Sequence, residues 1–549
     1  MSTYYDLGHH HRKVSTSSSD AQLRFDRGLI WTYGFNHEEA VRCFERALEF
    51  DPGCAMAHWG VAYASGPNYN RGWEAFEGDD LTDAVSLSHA ATQRALDHSS
   101  GVTAVEQALI SALGERYPSS RPDDDCSIWN DGYAEAMRSV FAEHGDDLDV
   151  AALFAEALMN RTPWELWDLA TGRPAAGADT AEARDVLEQA LAAPGGRTHP
   201  GILHLYLHLM EMSPHPELAL RVADGLRGLV PDAGHLEHMP THIYVLCGQY
   251  QNVVDSNDAA IRADLVYLER EGPMNFYSLY RAHNYHFKLY GAMFLGQYEA
   301  AITAADDMVA TLPTELLRLE SPPMADWLEG FVPMRMHVLI RFGRWQEILD
   351  TPLPDDAELY CVTTTMIHYA RGIACAITSR LDEAAEERER FRAALGRVPD
   401  TRYIFNNTCL DILAIASEML DGELEYRRGN HELAFAHLRQ AIELDDGLPY
   451  DEPWGWMQPT RHAYGALLLE QARVTEAEAV YRADLGLDDS LARAYQHPDN
   501  VWSLHGLHEC LTSLGKDAEA GIVRSRLDLA LARTDVEINA SCFCRLAHV

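Results

Sequence analysis

The chain has 549 residues, 47% hydrophobic and 23% charged, a globular composition that excludes wholesale disorder and a length beyond one ordinary core. Its 84 acidic side chains against 44 Lys and Arg leave a formal net charge of −40, which excludes nucleic acid as a partner because no surplus of cations can displace phosphate counterions. No apolar run approaches the ~18 residues of a membrane span, and MSTYYDLGHHHRKVSTSSSD lacks the apolar stretch of a signal peptide, so a cytoplasmic protein without a membrane partner is expected.

In chain order, residues 1–20 read as a flexible arm in which His9, His10 and His11 are solvated. The first helical stretch is AQLRFDRGLIWTYGFNHEEAVRCFERALEFDP, with Gly28, Ala40, Phe44, Ala47 and Pro52 in register. They occupy positions 8, 20, 24, 27 and 32 of a 34-residue helix-pair unit: small residues where two helices approach, an aromatic in the gap, and a proline after the second helix. The frame returns as Ala219, Ala223 and Pro231, then as Tyr244, Gly248, Tyr250 and Ala260, then as Gly296, Tyr298, Ala301, Ala305 and Pro313. Weaker copies surround Gly343, Gly372 and Ala434, with two more towards residue 535.

This pattern resembles the tetratricopeptide repeat (TPR) family in a divergent, long form. The resemblance implies an all-α solenoid, a right-handed superhelix of helix pairs running continuously over 21–535, with the His-rich repeats at about 198–313. Inserts rich in Trp, Pro and Gly interrupt it at SGPNYNRGWEAFEGDD, NRTPWELWDLATGRPAAGADT and GLPYDEPWGWMQPT. They are expected to dock on the array through Trp73, Trp164 and Trp454. The tail 536–549 carries a CxC pair, Cys542 and Cys544; the other cysteines are scattered, as in a reduced protein.

The histidines carry the chemistry. His204, His238 and His286 share position 5 of three consecutive units, His208 and His242 share position 9, and His235 and His283 share position 2. In the TPR family those positions face the concave groove, and steps of three or four residues hold one helix face. These seven histidines, with Glu211, are the expected ligands of a transition metal, Cu, Fe or Zn, which imidazole-rich sets suit. The expected function is a metal-dependent enzyme, an oxidoreductase or oxygenase ahead of a hydrolase, acting on a small organic substrate. Tyr244, Tyr290 and Glu237 are its candidate acid–base groups, and Asn68, Asn284 and His337 its substrate contacts. Protonation should weaken metal binding below about pH 6. The alternative is a TPR adaptor binding a peptide in its groove; a protein partner or homo-oligomer is compatible with either.

Overall fold

The computed structural model describes residues 4–545. Its strands amount to two short antiparallel ladders, Trp167–Asp168 with Arg173–Pro174 and Tyr403–Ile404 with Asn407–Thr408; the remaining regular structure is helical. The fold is all-α and TPR-like, and most helices pack chiefly against their neighbour in sequence. Among the described residues no helix is long and apolar enough to cross a membrane. The chain, read from sequence as one array over 21–535, divides into two compact units: Met1–Ile243 with Ala259–Gly272, and Tyr244–Asp258 with Pro273–Val549.

In the first unit the helices Ser19–Tyr33 and His37–Phe50 are joined through Gly34, Phe35 and Asn36. So short a connection forces antiparallel neighbours. Asn36 caps the second helix, its side-chain oxygen accepting the Glu39 N–H at 3.2 Å. Phe44 then fills the gap between this pair and the next helix, Ala55–Ser65. A Cβ on Gly28 would stand 2.6 Å from the Phe44 ring, and one on Gly60 would stand 2.5 Å from it. The second unit repeats the device with Tyr481, which a Cβ on Gly465 or Gly506 would approach to 2.5 and 2.2 Å. The glycines recur because an aromatic ring lies where their side chains would be.

Gly60→Ala should therefore destabilise the protein although alanine is the better helix former. Overpacking a fixed ring costs about 1–3 kcal/mol, against a propensity gain of about 1 kcal/mol. Thermal denaturation checks this; an unchanged or raised melting temperature would mean that Phe44 can move aside.

The arm over residues 1–20, expected to be flexible, is instead tied down through its described residues. Arg12 is buried and donates to Asp147 Oδ1 at 2.7 Å and Asp149 Oδ2 at 2.9 Å, while Ser15 N donates to Glu106 Oε1 at 2.7 Å. His10 meets Asp149 at 3.1 Å and His11 meets Asp26 at 2.7 Å; His9 is exposed. Local periodicity carries no trace of such bonds, because every partner is distant in sequence.

The inserts dock. Trp73 is buried edge-on to Trp129 at 5.6 Å, Trp167 donates to the Leu209 carbonyl at 2.7 Å, and Trp454, Trp456 and Met457 are buried. At the C-terminus Cys542 and Cys544 form a disulfide, and Ser541 meets Tyr481 Oη at 2.5 Å; among the described residues the other eight cysteines form no disulfide.

Candidate metal centre

The first unit positions the histidine cluster on two stretches of helix. Helix Pro200–Glu211 starts on His199, whose Nδ1 accepts the Ile202 N–H at 3.2 Å. With Nδ1 accepting, neutral His199 carries its proton on Nε2 and donates it to Asp149 Oδ1 at 3.0 Å. Asp149 also receives Arg12, His10 and the Tyr33 hydroxyl, the last at 2.6 Å. Burial alone would raise its pKa; bonds from His10 and His199 outweigh it and hold the carboxyl well below its ordinary range. His10, Asp149 and His199 converge closely enough for an ion. The His199 tautomer makes them a hydrogen-bonded anchor for the helix start instead.

From that anchor His204, His208 and Glu211 follow at i, i+4 and i+7 and share one face. The short helices Gly234–His238 and Pro240–Leu246 bring His235, His238 and His242 opposite them. His204, His208 and Glu211 are fully or almost fully buried, as are His235, His238 and His242. Glu211 takes two imidazoles at once: His208 Nδ1 at 3.0 Å from Oε1 and His242 Nδ1 at 2.6 Å from Oε2. His204 Nδ1 faces the Tyr33 carbonyl at 2.6 Å.

A carboxylate and a carbonyl can only accept, so these three imidazoles carry their protons on Nδ1 and present lone pairs at Nε2. His204 Nε2 lies 3.1 Å from His235 Nε2, and His242 Nε2 lies 2.7 Å from His238 Nε2. His208 Nε2 is buried with no hydrogen-bond partner. Ligand atoms of His204, His208 and His235 lie within 4.8 Å of one another. The arrangement can therefore hold a metal through Nε2 atoms, with Glu211 and the Tyr33 carbonyl as the outer acceptors that orient the rings.

Burial, reinforced for His204 by neighbouring imidazoles, pushes the pKa values of His204 and His242 down to about 3; His208 and His235 are also held well below the ordinary value. Their neutral form is favoured, and His208 Nε2 holds an unengaged lone pair. The sign for stability follows. Between about pH 6.5, where an unfolded histidine titrates, and about pH 3 the unfolded chain binds protons that folded His204 and His242 refuse. Stability therefore rises with pH across that window and is lost as pH falls through it. Desolvation of the cluster opposes the protonation near pH 6 that the sequence leads us to expect. In an acid titration His204 and His242 should take up no proton near pH 6 while the protein is folded; an imidazole resonance of either ring titrating near pH 6 in folded protein would contradict this.

Aromatic rings wall the cluster. Phe35 lies 4.4 Å from His204 and 5.5 Å from His235, Tyr69 lies 4.9 Å from His208, and Trp164 lies 5.9 Å from His208. Phe35 and Trp164 hold left-handed backbone at φ 53° and 61°, an uncommon state for bulky residues and one concentrated at functional sites. Sequence reasoning did not place Phe35 or Tyr33 at the cluster; both lie in the first helix pair, far from the histidines in sequence.

The Glu237 carboxylate accepts the Gly228 N–H at 2.9 Å, and burial raises its pKa to about 6. Asn68 Oδ1 folds its own insert, accepting the N–H groups of Asn70 at 2.9 Å and Arg71 at 3.0 Å. Tyr244, His283, Asn284, His286, Tyr290 and His337 belong to the second unit. There His283 packs edge-on to Phe405 at 4.7 Å, and Tyr290 stacks on Trp454 at 5.6 Å.

No protein-family model matches the chain, and no curated protein matches it in sequence. Solved structures similar to it include Cut9 in the APC/C Cut9–Hcn1 hetero-tetramer, at 13% identity over 89% of this chain and 76% of that one, TM-score 0.31. The human IFIT1 dimer with m7Gppp-AAAA is similar at 10% identity over 94% and 91%, TM-score 0.32. Yeast Tom70 is similar at 12% identity over 94% and 92%, TM-score 0.27. Likeness at this level carries no functional argument.

Proposed function

We propose that this chain, a divergent TPR-like all-α protein, holds a transition metal in the imidazole cluster of its first unit and performs metal-dependent chemistry there on a small substrate. His204, His208, His235, His238 and His242 are the ligand candidates through Nε2, and Glu211 orients His208 and His242 from outside. One observation carries the reading. His208 Nε2 is a buried acceptor with no partner, while its Nδ1 is committed to Glu211. Leaving such an atom unpaired costs about 1–3 kcal/mol, which coordination to a metal would offset.

A neutral nitrogen set suits Cu, Fe or Zn over Mg or Ca. The rings of Phe35, Tyr69 and Trp164 supply a dry shell, in which a metal's Lewis-acid or redox power is less screened by water. Elemental analysis of protein purified without an affinity tag tests the reading. Stoichiometric Cu, Fe or Zn is expected; its absence after supply of all three would overturn it.

A second reading, a protein-binding adaptor, has its own observation. The helix Asp517–Leu531 exposes Ile522 and Leu529, seven residues apart on one face, at 67% and 74%. Terminal helices of repeat arrays ordinarily present polar outer faces. The buried histidines have no part in it, so a metal-free protein would favour it.

A further inference from the structure

The second unit carries a group of soft donor atoms that the first-unit cluster does not explain. The insert between helices His431–Asp446 and Thr460–Glu470 runs inward with Trp454, Trp456 and Met457 buried. Met457 Sδ lies 2.9 Å from Nε2 of His286, on helix Ser278–Leu295, and both residues are fully buried. His337, on helix Met334–Arg341, packs edge-on against Trp456 at 5.0 Å. Its carbonyl accepts the Gln458 side-chain amide at 2.6 Å. The residues flanking Met457 are thus held in register against His337. His337 Nδ1 is itself buried without a partner.

We propose that His286, Met457 and His337 form a soft-metal site selective for Cu(I). A thioether sulfur is uncharged, polarisable and a poor hydrogen-bond acceptor, so it adds little to a buried imidazole by hydrogen bonding. Together with imidazole nitrogen it is a donor set that selects Cu(I). No neighbour fixes the His286 tautomer, because its Nδ1 also lacks a partner, so Nε2 is free to present a lone pair beside Sδ. With no carboxylate among the three donors, a monovalent ion is far cheaper to desolvate than a divalent one. Phe331, 5.1 Å from His286, and Trp456 shield the position from water.

The test is anaerobic titration of the full chain with Cu(I) against a chromophoric chelator, followed by X-ray absorption at the copper edge. Wild type, Met457→Leu and His208→Ala are compared. Leucine keeps the volume of methionine at little cost to packing but removes the sulfur. Expected are a sulfur scatterer in the wild type, its loss in Met457→Leu, and weaker binding of that Cu(I) by at least the ~10–100-fold that loss of an outer-shell partner costs. His208→Ala should keep the sulfur signal, so failure of the first-unit reading and failure of this one are separately visible. Nitrogen-only ligation in the wild type, or an unchanged sulfur signal in Met457→Leu, would overturn the proposal and leave the contact as an N–H···S hydrogen bond. Should Met457→Leu not fold, His286→Gln is read by affinity instead: Cu(I) binding at the sulfur site should weaken by at least about 10-fold, and unchanged affinity would overturn the proposal.

Discussion

On the proposed function, His208→Ala and His242→Ala should each abolish transition-metal binding in the first unit while leaving the helices in place. Both rings are oriented by the same carboxylate, Glu211, and each loss removes an Nε2 lone pair that no other side chain replaces. The fold should survive because repeat stability is spread over neighbouring interfaces. Far-ultraviolet circular dichroism shows whether it does. Glu211→Gln is the sharper variant. The amide offers one acceptor where two Nδ1–H groups now donate, and its NH2 opposes the second, so one ring must turn or change tautomer. Affinity should fall about 10–100-fold without complete loss, the range for outer-shell partners of metal-bound histidine. His9→Ala, at an exposed position, should change neither metal content nor affinity. Measured metal per chain decides: equal metal in wild type and all variants would remove the cluster from any metal role.

Asp484→Ala should be the most damaging single change in the second unit. The buried Asp484 carboxylate accepts from His462 at 3.0 Å, His497 at 2.8 Å, Asn500 at 2.9 Å and Ser503 at 2.5 Å. Arg341 donates to His462 Nδ1 at 3.0 Å, which leaves the His462 proton on Nε2 for Asp484. Neutral His462 thus links a buried guanidinium to a buried carboxylate. Burial drives the Arg341 pKa down to about 9, with Asp484 the largest opposing influence. Removing the carboxylate orphans its donors and leaves Arg341 uncompensated, a change worth about 3–5 kcal/mol. The denaturation midpoint should drop accordingly, followed by the fluorescence of Trp502, whose ring lies 4.7 Å from the Arg341 guanidinium. A shift under 1 kcal/mol, on the order of an ordinary surface substitution, would show that water replaces the carboxylate.

The helix pairs were legible in the sequence because their determinants are local. Gly28, Ala40, Phe44 and Ala47 recur at spacings that a 34-residue helix pair requires, and Phe44 lies against Gly28 and Gly60 as that spacing demands. Helical period also placed His204, His208 and Glu211 on one face, and His235 and His242 on another. Periodicity states which face a side chain takes; it is silent about which atom of an imidazole points inward. That depended on acceptors remote in the chain: the Tyr33 carbonyl, 171 residues from His204, and Glu211, 31 residues from His242. The same limit hid Phe35, the docked arm and the pairing of Met457 with His286, also 171 residues apart. The sequence alone determined the repeat and the shared faces, since both follow from i, i+3 and i+4 geometry. Only the tertiary structure decided which nitrogen each histidine presents, because a tautomer is set by the partner on the far side of the ring.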